Sequence, residues 1–107
     1  MLIDGEEHIP DISVYKREKV NYFGKDTTKT EELPLLAIEV LSPSQTMDNL
    51  YDKAEIYLEA GIKSVWLVSP QSHAIIVKTK TETNHYHEGI LEDITGVKVD
   101  IGIIFED

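Results

Sequence analysis

The run Leu35-Leu36-Ala37-Ile38-Glu39-Val40-Leu41 restricts the fold more than any other stretch of this chain. Apolar residues follow one another without alternation, the pattern of a strand covered on both faces, as in an α/β sheet. Glu39 breaks the pattern. A carboxylate in such a strand is costly unless it is paired, hydrogen-bonded or bound to a metal. The run therefore implies a sandwiched strand and a partner for its acid.

The neighbouring segments supply the rest of an α/β unit. Pro34 precedes the run and Ser42-Pro43-Ser44 ends it. Met47, Leu50, Tyr51, Ala54, Tyr57 and Leu58 then recur at helical spacing, with Thr46 or Asp48 as N-cap and Gly61 as terminator. Val65-Trp66-Leu67-Val68 is a short apolar strand stopped by Ser69-Pro70. Strand, helix and strand over about thirty residues make a crossover unit with parallel strands. Ahead of it, residues 2–9 read as an extended piece with an Asp4-Gly5 turn, and Ile12–Lys16 as a second strand opened by Pro10-Asp11. Residues 17–33 are polar and read as a solvated loop. Ala74–Lys78 and Thr83–Glu88 read as a hairpin, and Val97–Phe105 as a strand ending in a helical turn.

Composition narrows the function classes. At 107 residues the chain holds a single domain, residues 1–107. It has no cysteine, so thiolate nucleophiles, thiolate metal sites and disulfides are excluded. No stretch has the length and apolarity of an export signal or a membrane span. The expectation is a cytoplasmic protein without membrane association. The net charge of −10, from 20 acidic against 10 basic residues, argues against strong attraction to a nucleic-acid backbone.

Two acids and one cation are placed to meet. Asp11 opens one strand, Glu39 lies in another, and the helix follows the Glu39 strand directly. At about 100° per residue, Lys53 lies roughly 40° past Tyr57, at the edge of the apolar stripe. From there its stem can lie along the core and carry the ammonium toward the sheet. Two carboxylates can hold a divalent cation, and a lysine can orient water or offset phosphoryl charge.

Pro10-Asp11, Ile38-Glu39-Val40-Leu41-Ser42-Pro43-Ser44, Asp48, Lys53, Tyr57, Ala60-Gly61 and Val65-Trp66-Leu67-Val68 together resemble the Uma-two family of restriction-endonuclease-like proteins. That family lies within the PD-(D/E)xK nuclease superfamily. The resemblance implies a restriction-endonuclease-like α/β core, a mixed sheet with one main helix at about residues 46–60. It also implies a metal-dependent endonuclease that hydrolyses DNA phosphodiester bonds. Asp11 and Glu39 would be catalytic acids binding magnesium or manganese, with the Val40 carbonyl as a further ligand. The superfamily lysine stands two residues after the second acid. Leu41 fills that position here, and Lys53 is the matching residue on the helix. Family members carry further elements before the Pro-Asp block, whereas only nine residues precede Pro10 in this chain. A truncated domain is the corresponding expectation, with the missing part lost or supplied by another chain. The alternative function is an inactive homologue serving as a dimerisation or partner-binding module, and a homodimer is expected in either case.

Simpler readings stand beside these. An aspartate after proline at a strand start is more often a turn or cap residue. Glu39 could pair with Lys53 without any metal. Ser42, Ser44 and Thr46 are better explained by capping than by nucleophilic chemistry. His85 and His87, two apart on one face of a strand, could bind a metal, but exposed hairpin histidines are the expectation, as for His73, and Trp66, Tyr51 and Tyr57 are expected to be core.

Overall fold

In the computed structural model, which describes residues 1–16 and 33–106, the chain opens with the strands β1 (Leu2–Ile3) and β2 (Glu6–Glu7). The Ile12–Lys16 segment contributes a shorter strand than expected, β3 (Ile12–Val14), and the apolar run contributes β4 (Leu36–Val40). Helix α1 (Met47–Ala60) and strand β5 (Ser64–Ser69) complete the crossover. Then come β6 (Ala74–Lys78), β7 (Thr83–Tyr86), β8 (Ile90–Glu92), β9 (Lys98–Asp100) and the short helix α2 (Ile101–Ile104). The polar tract expected as a loop lies, apart from Leu33, outside the described residues.

A five-stranded sheet runs in the order β3-β4-β5-β6-β7. β4 and β5 are parallel, with Glu39 opposite Leu67, and every other neighbouring pair is antiparallel. The fold is thus the expected α/β architecture, a mixed sheet carrying one main helix.

Local chemistry accounts for the ends of α1. The Thr46 hydroxyl accepts from the Asn49 amide at 3.2 Å, and the Asn49 side chain accepts from the Thr46 amide at 3.0 Å. This reciprocal box selects Thr46 over Asp48 as N-cap, with Asp48 left in the first turn. Gly61 closes the other end at φ 114°, with its amide bonded to the Leu58 carbonyl and the Ile62 amide to that of Tyr57. Only glycine takes that left-handed conformation without penalty, so the helix stops there.

Each face of the sheet has its own core. On one face, Ala37, Val65, Leu67 and Ile76 pack against Leu50, Ala54, Tyr57 and Leu58 of α1, with Met1 and Ile3 alongside. On the other, Leu36, Trp66, Ile75 and Val77 pack against Leu91 and Ile101. Continuous apolarity in β4 and β5 follows from this double cover.

The carboxy-terminal part departs from expectation. Instead of one strand from residue 97, β8 and β9 form a hairpin that lies over the second face, and α2 takes over at Ile101. Asp93 fastens the hairpin down. Its Oδ1 accepts from the Ser64 hydroxyl at 2.8 Å and from the Trp66 indole N–H at 3.1 Å, and its Oδ2 accepts from the Thr95 amide at 3.2 Å. All three groups Asp93, Ser64 and Trp66 are buried. Asp93→Ala strands the hydroxyl and the indole donors, so it should cost about 3 kcal/mol of stability. Urea denaturation checks this, and an unchanged midpoint would show that the hairpin is held by packing alone.

Candidate active site

Glu39 sits on the face of β4 that carries α1, flanked by Ala37 and Leu41, with its side chain only 3% exposed. Lys53 and Tyr57, one helical turn apart on α1, both reach down to it. The Tyr57 hydroxyl donates to Glu39 Oε2 at 2.9 Å, and the Lys53 ammonium lies 3.4 Å from Oε1. Each carboxylate oxygen thus has its own donor. The two contacts differ in weight. Lys53 is 39% exposed and its contact is long, so solvent screens it and it contributes little. The Tyr57 bond is buried and runs to a charged acceptor, the stronger kind of hydrogen bond.

Asp11 comes to the same place from the neighbouring strand. The β3–β4 ladder ends at the pair Ile12–Ile38, one residue before Asp11 and Glu39 would face each other. The Leu41 amide points to β5, where it bonds Val68. By alternation the Val40 amide points the other way, toward β3. Its donor finds the Asp11 carboxylate, with Oδ2 at 2.7 Å. The Asp11 side chain therefore stands in for a backbone acceptor at the end of the ladder, and this fixes it beside Glu39. The structure brings together Asp11, Glu39, Val40 and Lys53. Leu41 packs into the α1-side core, so the position of the superfamily lysine is apolar here.

Other candidates stay apart. His85 and His87 are exposed, with His85 in β7 and His87 beyond it. His73 is also exposed, at φ 51°, and its ring stacks on Phe105. A groove of about 590 Å³ lies between α1 and the β6–β7 turn, lined by Glu55, Leu58, Lys78 and Thr83, and includes none of Asp11, Glu39, Val40 and Lys53.

Tyr57 is the site residue that reading it as plain core leaves out. Its ring is core, but its hydroxyl is the firmest partner of Glu39. The signal was its spacing four residues after Lys53 on one helix face, combined with a polar tip on an apolar body. His8, whose ring stands edge-on to Tyr57 with centroids 5.9 Å apart, carries no comparable signal in sequence.

The donor set suits only some metals. Among the described residues no group of three or more histidines, cysteines or acids could enclose an ion. Zinc in a closed structural site needs four such ligands. Magnesium keeps several waters and is held by one or two carboxylates plus substrate phosphates, which Asp11 and Glu39 match.

Asp11 thus stands just before β3, Glu39 near the end of the adjoining β4, and Lys53 on the helix that follows, all on a mixed α/β sheet. The chain belongs to the Uma2 family, described as putative restriction endonuclease, whose sequence profile matches residues 2–96. Its fold is similar to that of a crystal structure of a putative nuclease belonging to DUF820 from Anabaena variabilis ATCC 29413. That likeness has a TM-score of 0.62 at 23% identity over 67% of this chain. The chain spans 44% of the length of that structure. No curated protein matches the chain in sequence.

Burial, then the hydrogen bond to Glu39, then the negative charges of Glu39 and Asp11 push the Tyr57 phenol well above its ordinary value. The unfolded chain releases this proton near pH 10 while the folded chain retains it. Tyr57 thus contributes stability that is intact below about pH 10 and declines above it, by about 1.4 kcal/mol per unit. An ultraviolet titration of tyrosinate should show one tyrosine ionising only as the chain unfolds, a step missing in Tyr57→Phe. Ionisation of every tyrosine near pH 10 in the folded protein would contradict the buried bond.

Proposed function

We propose that this domain is a magnesium- or manganese-dependent endonuclease that hydrolyses DNA phosphodiester bonds. The observation that carries the reading is the convergence of Asp11 and Glu39 from adjoining strands with Lys53 on the crossover helix. Family membership gives the convergence its chemical direction.

In this reading Asp11 and Glu39 hold the cation, with the Val40 carbonyl as a third oxygen. When bound, the ion would polarise the scissile phosphate and acidify a water. The Lys53 side chain is 39% exposed and its contact with Oε1 is long at 3.4 Å, so it can turn from Oε1 to the attacking water or to phosphate oxygens. Tyr57 keeps the Glu39 carboxylate oriented while Lys53 moves. The Val40 amide does the same for Asp11. With a net charge of −10, affinity for DNA should be weak and should fall steeply with salt.

One observation favours a second reading. Asp11 and Glu39 both have protein partners already, in Val40, Tyr57 and Lys53. The same contacts would suit an inactive homologue that keeps the fold as a dimerisation or partner-binding module.

Activity and metal binding separate the two. The endonuclease should show saturable Mn²⁺ binding by calorimetry and Mn²⁺-dependent cleavage of plasmid DNA at low salt. Asp11→Ala and Glu39→Gln should abolish both. Lys53→Ala should retain metal binding and lose cleavage by about a hundredfold or more. Intact DNA after prolonged incubation, with no saturable binding, would exclude the endonuclease and leave the inactive module.

A further inference from the structure

We infer that Tyr57 sets which divalent cation this site accepts, by leaving Glu39 a single oxygen with which to bind it. The inference rests on the metal-site reading above and adds a selectivity that the reading alone does not contain.

The two oxygens of Glu39 are not equivalent. Oε2 is held inside the core by the Tyr57 hydroxyl at 2.9 Å. Oε1 faces Lys53, whose side chain is 39% exposed and can be displaced toward solvent. Tyr57 cannot withdraw in the same way. Its residue is 2% exposed, its ring is packed among the core residues under α1, and the His8 ring stands against it at 90°. Freeing Oε2 would break a buried, charge-assisted bond and leave the phenol without an acceptor.

This asymmetry bears differently on different ions. Calcium takes six to eight oxygens and commonly uses both oxygens of one carboxylate, whereas magnesium requires octahedral geometry with single-oxygen contacts. A Glu39 restricted to Oε1 suits magnesium and manganese and penalises calcium. The phenol acts through Glu39 without touching the cation, so it is a positioning residue. Loss of one buried hydrogen bond to a charged group corresponds to about a tenfold or larger change in affinity.

The test compares Mn²⁺ and Ca²⁺ binding to the full chain by calorimetry, in wild type and in Tyr57→Phe. The substitution should shift the ratio of the two affinities toward Ca²⁺ by about tenfold. A purely structural tyrosine would change both affinities together, and an unchanged ratio would overturn the inference. Absence of saturable binding of either ion to wild type would instead remove the metal site, and the inference with it. Should Tyr57→Phe not fold, wild-type crystals grown with Mn²⁺ and with Ca²⁺ decide the matter. Contact through Oε1 alone, with the Tyr57 bond retained, is expected. A Glu39 binding either ion through both oxygens with that bond broken would overturn the inference.

Discussion

The hydrogen bond from the Tyr57 hydroxyl to the Glu39 carboxylate is the constraint around which this domain is arranged. A charge in the middle of a doubly covered strand would otherwise have to neutralise or reach solvent. Here the carboxylate is given a buried donor, because α1 packs on the face of the sheet toward which Glu39 points and carries a phenol at the right height. The helix is bounded by its own ends, the Thr46–Asn49 box and the Gly61 terminator, so those local signals keep Lys53 and Tyr57 within one helix and on one face of it. Local capping, packing of α1 on the sheet and satisfaction of a buried acid therefore specify the same arrangement, which is the consistency expected of a well-determined fold.

The same arrangement ties the site to the edge of the sheet. β3 pairs with β4 over only three residues, and the side chain of Asp11 then takes the next backbone donor. An acid at that point has a structural task whether or not it also binds a cation. This is why two functions remain compatible with one geometry. What favours chemistry is that the third group, Lys53, is neither buried nor closely held. A lysine needed only to neutralise Glu39 would be better placed nearer and drier, since an exposed pair at 3.4 Å contributes little to stability.

Much of this was legible in the sequence. The sandwiched strands, the parallel crossover, the limits of the helix and the meeting of Asp11, Glu39 and Lys53 all follow from apolar periodicity, caps and chain order. The carboxy-terminal hairpin was not. Ile90–Glu92 is too short to announce a strand, and its position depends on Asp93 finding Ser64 and Trp66 across a long sequence separation. Tyr57 was visible as a core residue, but its hydrogen bond depends on the height of the helix above the sheet, which periodicity does not encode. The partner of the Val40 amide was hidden for a similar reason, because it depends on where the β3–β4 ladder runs out.

The central claim is that Glu39 and Asp11 form one cation site at the ends of β3 and β4. Paramagnetic broadening of backbone amide signals during a titration with substoichiometric Mn²⁺ tests it most directly. Broadening should begin at Val40 and its neighbours in β4, with Asp11 and Lys53, before spreading outward. Broadening confined to scattered surface acids such as Glu55 and Glu82, with the Val40 amide unaffected, would contradict it.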